Sequence, residues 1–265
     1  MRVWSLASGS SGNAYVVQAG RTTVLLECGL PAERTVELIT MVGLHPTDFS
    51  AILVTHDHSD HARSAKRLSR RWGVPVIASR GTIEHPSLKG ARTPAIARPN
   101  EELSLGDLTI LAFPVPHDAD EPVGFRVTDG YSRLCLATDL GSVSDQTVRH
   151  LANNDLLILE ANYDDQRLRY GPYPAFLKDR VAGAHGHLSN DATAEALARC
   201  GDGLAPTVWL AHLSQVNNTP ELALATVQAA LPPALRRRTS IEPAGRHRPS
   251  LRWSAGTRET QLTLL

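Results

Sequence analysis

A chain of 265 residues, 42% hydrophobic and 20% charged, has the make-up of a folded globular protein with an ample core, which excludes a disordered polymer. The formal net charge is +0, so any attraction to a polyanion or an acidic membrane must come from local segregation of charge. Cys28, Cys135 and Cys200 are too scattered for a disulfide framework, and no run reaches the ~18 apolar residues of a membrane span, so a reducing, cytoplasmic setting without a membrane is expected.

The start reads as a strand over 2–6, a small-residue loop over 7–13, and strands over 14–19 and 22–26 joined by Gly20-Arg21. The loop either brings backbone N–H groups to an anion or is a plain turn; its residues fit both. Pro31 opens an amphipathic helix to about Val42. A buried strand over 51–54 runs into Thr55-His56-Asp57-His58-Ser59-Asp60-His61, after which the spacing predicts a helix over 62–72. One face of that helix carries Lys66, Arg67, Arg70 and Arg71, either as a solvated face or as contacts to a phosphate backbone. A strand over 74–78 precedes an excursion over 80–100 whose Pro, Arg and Gly residues leave a lid or a rim equally open.

Strands follow over 108–115, 123–128 and 132–137, the first running into His117 and the third into Asp139. Beyond a short helix over 145–153, a strand over 156–159 ends in Glu160. A helix over 174–184 leads to Gly186-His187-Leu188-Ser189-Asn190, a capped helix over 191–200, a strand over 207–211 ending in His212, a helix from Pro220 to about Leu231, and a strand near 240–242. No repeat or linker interrupts this order, so a single domain over 1–265 is expected, with two mixed sheets packed face to face and helices outside.

Three imidazoles and a carboxylate within six residues, at the carboxyl end of a strand, form a metal-ligating pattern. Two overlapping ligand pairs so close together suit two adjacent ions better than one. His187 is a candidate for leaving-group protonation or phosphate contact, because an imidazole donates near neutral pH and this one stands before a helix start. Helix-capping or orienting a ligand is the plainer role for it. Asp118 and Glu160 are candidates for orienting ligand histidines, and surface or capping roles fit them equally.

The residues Thr55-His56-x-His58-x-Asp60-His61, then His117, Asp139 in Ala137-Thr138-Asp139-Leu140-Gly141, and His212 resemble the metallo-β-lactamase superfamily, in its order. Within it, Leu6-Ala7-Ser8-Gly9-Ser10-Ser11-Gly12-Asn13, His117-Asp118-Ala119-Asp120, Glu160-x-Asn162-x-Asp164, Gly186-His187-Leu188-Ser189-Asn190 and His212-Leu213-Ser214-x-x-Asn217-Asn218 are most similar to the YycJ (WalJ)-like metallo-hydrolases. The resemblance implies an α/β fold, the four-layer αββα sandwich, with the site along one sheet edge. It also implies two divalent ions, zinc or manganese with iron also accommodated, one held by His56, His58 and His117, the other by Asp60, His61 and His212, with Asp139 bridging. Classical zinc β-lactamases carry a Cys at the place of Asp139 and flavo-diiron enzymes a Glu at that of His58, so this set is the pattern of hydrolases, phosphodiesterases above all.

The expected activity is therefore hydrolysis of a phosphodiester by a water shared between two cations, with nucleic acid as substrate in the manner of the family's exonucleases. Asp60 would orient that water as well as bind metal; Lys66, Arg67, Arg70 and Arg236-Arg237-Arg238 would meet phosphates. The alternative is a small-molecule hydrolase acting on a cyclic phosphodiester, thioester or lactone; a metal-stabilised binding module is the non-enzymatic reading.

Overall fold

The computed structural model describes residues 1–255. Six strands of the first hundred residues lie side by side in chain order: β1 (Arg2–Ala7), β2 (Ala14–Ala19), β3 (Thr22–Leu26), β4 (Ala51–Leu53), β5 (Val76–Ala78) and β6 (Ala95–Ile96). The first three meander antiparallel across short turns, whereas β3 to β6 run parallel. Parallel neighbours need crossovers. These are α1 (Ala32–Met41), then α2 (Ser59–Ala62) with α3 (Ala65–Trp72), and α4 (Arg80–Glu84).

The second sheet repeats the plan. Its strands β7 (Glu102–Leu105), β8 (Leu108–Pro114), β9 (Val123–Thr128) and β10 (Arg133–Ala137) are antiparallel, and β10 then runs parallel to β11 (Leu156–Glu160), β12 (Thr207–Ala211) and β13 (Ser240–Pro243). The crossovers are α5 (Asp145–Leu151); α6 (Asp165–Tyr170), α7 (Ala175–Ala182) and α8 (Asn190–Arg199); and α9 (Pro220–Ala230) with α10 (Pro233–Arg238). Finally β14 (Leu251–Ser254) returns to the first sheet beside β1, giving seven strands in each.

Three apolar layers hold these elements together. Val17, Leu26, Leu53, Ile110, Phe125, Leu136, Ile158 and Trp209 fill the space between the sheets. Leu25, Ile52 and Val76 pack outward on Leu38, Ile39 and Leu68, while Cys135, Leu157 and Leu210 pack outward on Leu151, Leu197 and Val227. Strands buried on both faces need unbroken apolar runs, which is why Leu156-Leu157-Ile158-Leu159 does not alternate. The result is the αββα sandwich.

Local departures have local causes. The helix expected over 62–72 is α3, which starts only at Ala65, and a separate turn, α2, forms before it; between them Ser64 turns to the neighbouring loop, its N–H donating to Cys28 O at 3.0 Å and its hydroxyl to Leu30 O at 2.6 Å. Residues 80–100 extend the first sheet: α4 leads to β6, which pairs with β5, and Leu88 is fully buried. No helix among the described residues is long and apolar enough to cross a membrane.

Candidate metal centre

The parallel strands point their carboxyl ends to one edge of the sandwich, and the candidate ligands stand there. His56 and His58 follow β4; Asp60 and His61 lie on α2; His117 follows β8, Asp139 follows β10 and His212 follows β12. His56, His58 and His117 form one group whose ligand atoms lie within 4.8 Å of one another, and Asp60, His61 and His212 form another. Asp139 touches both: its carboxylate lies 3.0 Å from His61 Nε2, 3.4 Å from His212 Nδ1 and 3.8 Å from His117 Nε2.

Each ring is aimed by a contact on its far side. Thr55 Oγ1 stands 2.9 Å from His56 Nδ1, Gly186 O accepts from His117 Nδ1 at 3.0 Å, and Glu160 Oε1 accepts from His212 Nδ1 at 2.9 Å. Glu27 Oε1 faces His61 Nδ1 at 3.5 Å. With Nδ1 of His56, His117 and His212 so engaged, and that of His61 facing Glu27, Nε2 of all four rings is the atom free to ligate. His58 is the exception, presenting Nδ1 at 3.2 Å from His117 Nε2, with Asp118 3.9 Å behind its Nε2.

The donor set fits a divalent cation. His56 Nε2 and Asp139 Oδ2 are buried without a hydrogen-bond partner, and the 3.0 Å approach of Asp139 Oδ2 to His61 lies outside hydrogen-bond geometry. Unpaired lone pairs converging in a buried site are what a coordinated ion satisfies. Burial, helped by His61, holds the pKa of His56 well below that of a free imidazole, which keeps the ring neutral and able to ligate. Burial also opposes charge on His61 and His212, but Asp139 and the other carboxylates outweigh it, raising His61 and pushing His212 up to about 10. For Asp60 and Asp139 burial favours the neutral acid, and the surrounding imidazoles reverse this, leaving both carboxyls depressed.

Glu27 is the residue that inspection of the sequence passed over. It follows β3 directly, is fully buried, and faces His61 from behind at 3.5 Å, where Glu160 at the end of β11 accepts from His212 at 2.9 Å. Its signal was a carboxylate directly after the buried run Val24-Leu25-Leu26. Glu27, Asp139 and His212 all sit in left-handed backbone, at φ 68°, 59° and 53°, which turns each strand end sharply toward the centre. Gly29 brings the next loop so near α2 that an added Cβ would collide with Asp60 O.

The small-residue loop holds two strand ends at once: Ser8 Oγ accepts His212 N–H at 2.8 Å, Ser10 lines the cleft, and Asn13 reaches α2. Asn13 donates from its backbone N to Asp60 O at 2.8 Å and accepts Gly9 N–H on Oδ1 at 2.9 Å. Asn162 Nδ2 donates to His212 O at 2.9 Å, and Asn190 and Asn218 pair beneath that loop at 2.8 and 3.1 Å.

A cleft of about 160 Å³ opens above the centre, lined by Asp60, Asp139, His187 and His212 and roofed by Leu177, Arg180 and Val181 of α7. His187 Nδ1 donates to Glu160 Oε1 at 2.8 Å; burial lowers its basicity, the charge of Glu160 more than restores it, and the net shift is upward. Arg180, unnoticed in the sequence, donates to Asp118 Oδ2 at 2.7 Å. Lys66, Arg67 and Arg70 do not line this cleft. They line a separate hollow with Arg63 and Arg71, where Arg67 pairs with Glu33 at 2.5 Å and Arg70 donates to Gly90 O at 2.7 Å. Arg238 binds Gly201 O and Asp202 at the amino-terminal end of β12, opposite the centre.

A family model described as the beta-lactamase superfamily domain matches residues 22–213, which contain every candidate ligand. The chain belongs to that superfamily. Exodeoxyribonuclease WalJ of Streptococcus pneumoniae is 35% identical over 228 residues, 84% of this chain and 85% of that protein. Exodeoxyribonuclease YycJ of Bacillus anthracis is 34% identical over 230 residues, 85% of this chain and 87% of that one. Among solved structures, the superfamily fold recurs in YhfI of Bacillus subtilis, with TM-score 0.74 and 18% identity over 96% of this chain and 100% of that one. It recurs also in Zn(2+)-bound PqqB of Methylobacterium extorquens, with TM-score 0.75 and 16% identity over the same shares.

Proposed function

We propose that this protein is a metal-dependent phosphodiesterase that cleaves nucleic acid, with exonucleolytic hydrolysis of DNA as its leading activity. The observation that carries this reading is Asp139 standing between two histidine-rich groups on a shared cleft, an all-nitrogen-and-oxygen set suited to two divalent ions such as zinc or manganese, with iron also accommodated. The relatives named as exodeoxyribonucleases supply the substrate class.

His56, His58 and His117 would hold one ion, Asp60, His61 and His212 the other, and Asp139 both. Divalent cations there supply Lewis acidity toward a phosphoryl oxygen and acidify water at neutral pH. Asp60 Oδ2, 3.1 Å from His212 Nε2 and partly open to the cleft, accepts a hydrogen bond from the attacking water and so fixes its direction. His187 has Nδ1 anchored on Glu160, which leaves Nε2 to hold a proton for the departing oxygen. Lys66, Arg67 and Arg70 lie outside the cleft and suit the phosphates of a long substrate beyond the scissile one.

The test uses metal-stripped protein reloaded with manganese or zinc, given end-labelled double- and single-stranded DNA, RNA and bis(p-nitrophenyl) phosphate, with Asp60→Ala as control. Metal-dependent shortening of the polymer that disappears in the variant is the expected result. The size of the cleft favours a second reading, a small-molecule hydrolase: about 160 Å³ is below the ~300–1,000 Å³ of ordinary ligand pockets. Cleavage of the small diester alone would choose that reading, and inertness toward both would move the search to thioesters and lactones.

A further inference from the structure

The cleft has room for a phosphodiester and little of the nucleoside attached to it, so the bases of a polymeric substrate must rest on the rim. That rim is α7. Leu177, Arg180 and Val181, at the i, i+3, i+4 spacing of one helix face, line the cleft, while no residue of α7 is buried. An eight-residue helix with no buried side chain is unusual in a protein whose other long crossovers α1, α3, α8 and α9 all pack on a sheet. It also carries Phe176, 73% exposed and four residues before Arg180, hence on the arginine's side of the helix. Tyr170, at the end of α6, is 76% exposed.

We propose that α6 and α7 form a base-stacking platform, on which Tyr170 and Phe176 receive the unpaired bases of a nucleic-acid strand whose scissile phosphate lies in the cleft. This rests on the nuclease reading above and names the form of substrate that it takes. Three features favour a nucleic-acid strand as occupant. Its α7 half is continuous with the cleft through Leu177 and Arg180, and α6 is joined to α7 where Lys178 reaches Arg169 O. Arg169 precedes Tyr170, and Lys178 and Arg180 follow Phe176, so cations flank both aromatics along the chain; basic groups beside aromatic rings are how proteins follow a single strand. The platform is also braced before any ligand arrives: Asp164 caps α6 through Arg167 N at 2.8 Å, Arg167 Nη1 donates to Asn218 O at 3.0 Å, Lys178 Nζ reaches across to Arg169 O at 2.8 Å, and Arg180 is tied to Asp118. Bases inside a duplex have both faces occupied by their neighbours, so a surface ring finds a free face only at a strand's end or on an unpaired base, and two rings on successive bases require an unpaired strand. Stacking of this kind ignores base identity, because every base has a π face.

The test measures binding first and cleavage second, on the full chain. A fluorescein-labelled oligothymidylate and the same phosphodiester backbone with abasic residues at its terminal positions are titrated by anisotropy into wild type, Phe176→Ala, Tyr170→Ala, the double variant and Phe176→Trp. Wild type should bind the oligothymidylate at least about 10-fold more tightly than the abasic strand. The double variant should lose that preference and lose nothing further on the abasic strand, and Phe176→Trp should keep it. In the metal-loaded enzyme, the ratio of kcat/KM for oligothymidylate to that for bis(p-nitrophenyl) phosphate should fall by a similar factor in the double variant. Equal binding of both strands by wild type would overturn the platform, as would a variant that weakens both strands alike. Sedimentation adds a further arm: a wild-type dimer that the double variant converts to monomer would assign this face to a second copy and overturn the proposal. Wild type that binds with the expected preference yet cleaves no diester would leave the platform standing and sink the nuclease reading instead.

Discussion

Glu160 accepts four hydrogen bonds while fully buried: His187 and His212 donate to Oε1 at 2.8 and 2.9 Å, and the N–H groups of Leu140 and Leu188 to Oε2 at 2.9 and 3.2 Å. One carboxylate thus aims a candidate ligand, anchors His187 and fastens the loop after Asp139. Glu160→Gln keeps the shape but replaces one acceptor with an NH₂ group that cannot receive those donors. Metal affinity, measured by competition with a chromogenic chelator, should fall roughly 10–100-fold while far-UV circular dichroism stays as in wild type. Residues at this scale were unevenly legible. The His-x-His-x-Asp-His spacing announces itself because ligand types so rarely crowd together by chance, and His117, Asp139 and His212 each end a readable strand. Glu27 did not stand out, since its tie to His61 spans the α1 crossover, and Arg180 meets Asp118 across 62 positions.

Elements with two buried faces were readable from their unbroken apolar runs, whereas those defined by tertiary pairing were not. The strands β6, with two residues, and β14, Leu-Arg-Trp-Ser, exist because β5 and β1 offer them an edge. The short helices α6 and α10 hold too few turns to show a period. Left-handed backbone at Glu27 carries no sequence signal, and at Asp139 and His212 only the weak one that Asp and His enter this region more readily than most; each costs about 1–3 kcal/mol that the surrounding structure must offset. Where the turn at Glu27 delivers the chain beneath α2, Gly29 permits the contact with Asp60 O. Gly29→Ala should therefore push α2 outward and destabilise the fold by about 2 kcal/mol or more, read from the urea midpoint, with weakened metal uptake alongside.

Across the whole molecule, the centre joins the two sheets, so binding an ion should stabilise all of it. Reloading metal-stripped protein is expected to raise Tm, increasingly so as metal concentration exceeds its Kd. The pH dependence has a definite sign. In metal-free protein the His212 pKa is raised from an unfolded value near ~6.5 to about 10, so its imidazolium–carboxylate contacts stabilise the fold fully below ~6.5 and are lost as pH climbs toward 10. An incoming cation must displace that proton. Tm of the metal-free form should thus decline over this range while the gain from metal grows, a divergence that calorimetry at pH 6.5 and 9 would reveal. The thiols supply a separate gauge of integrity: Cys28 and Cys135 are fully buried, and burial pushes Cys200 up to about 11. Ellman's reagent should find almost no reactive thiol in the native protein at pH 8 and three in denaturant.

The bond from His212 N–H to Ser8 Oγ, 2.8 Å long, joins residues 204 positions apart, and Asp60 meets His212 across 152. A ribosome that has released only the first hundred residues has exposed the His-x-His-x-Asp-His loop and none of its later partners. Closure waits until β10, β11 and β12 have emerged and docked, and non-local parallel pairing is slow. The nascent chain therefore passes most of its synthesis with a ligand-rich loop that cannot yet close around an ion. Assembly of the centre waits on the second sheet, and it completes only when β12 carries His212 to the loop whose Asp60 was made 152 residues earlier.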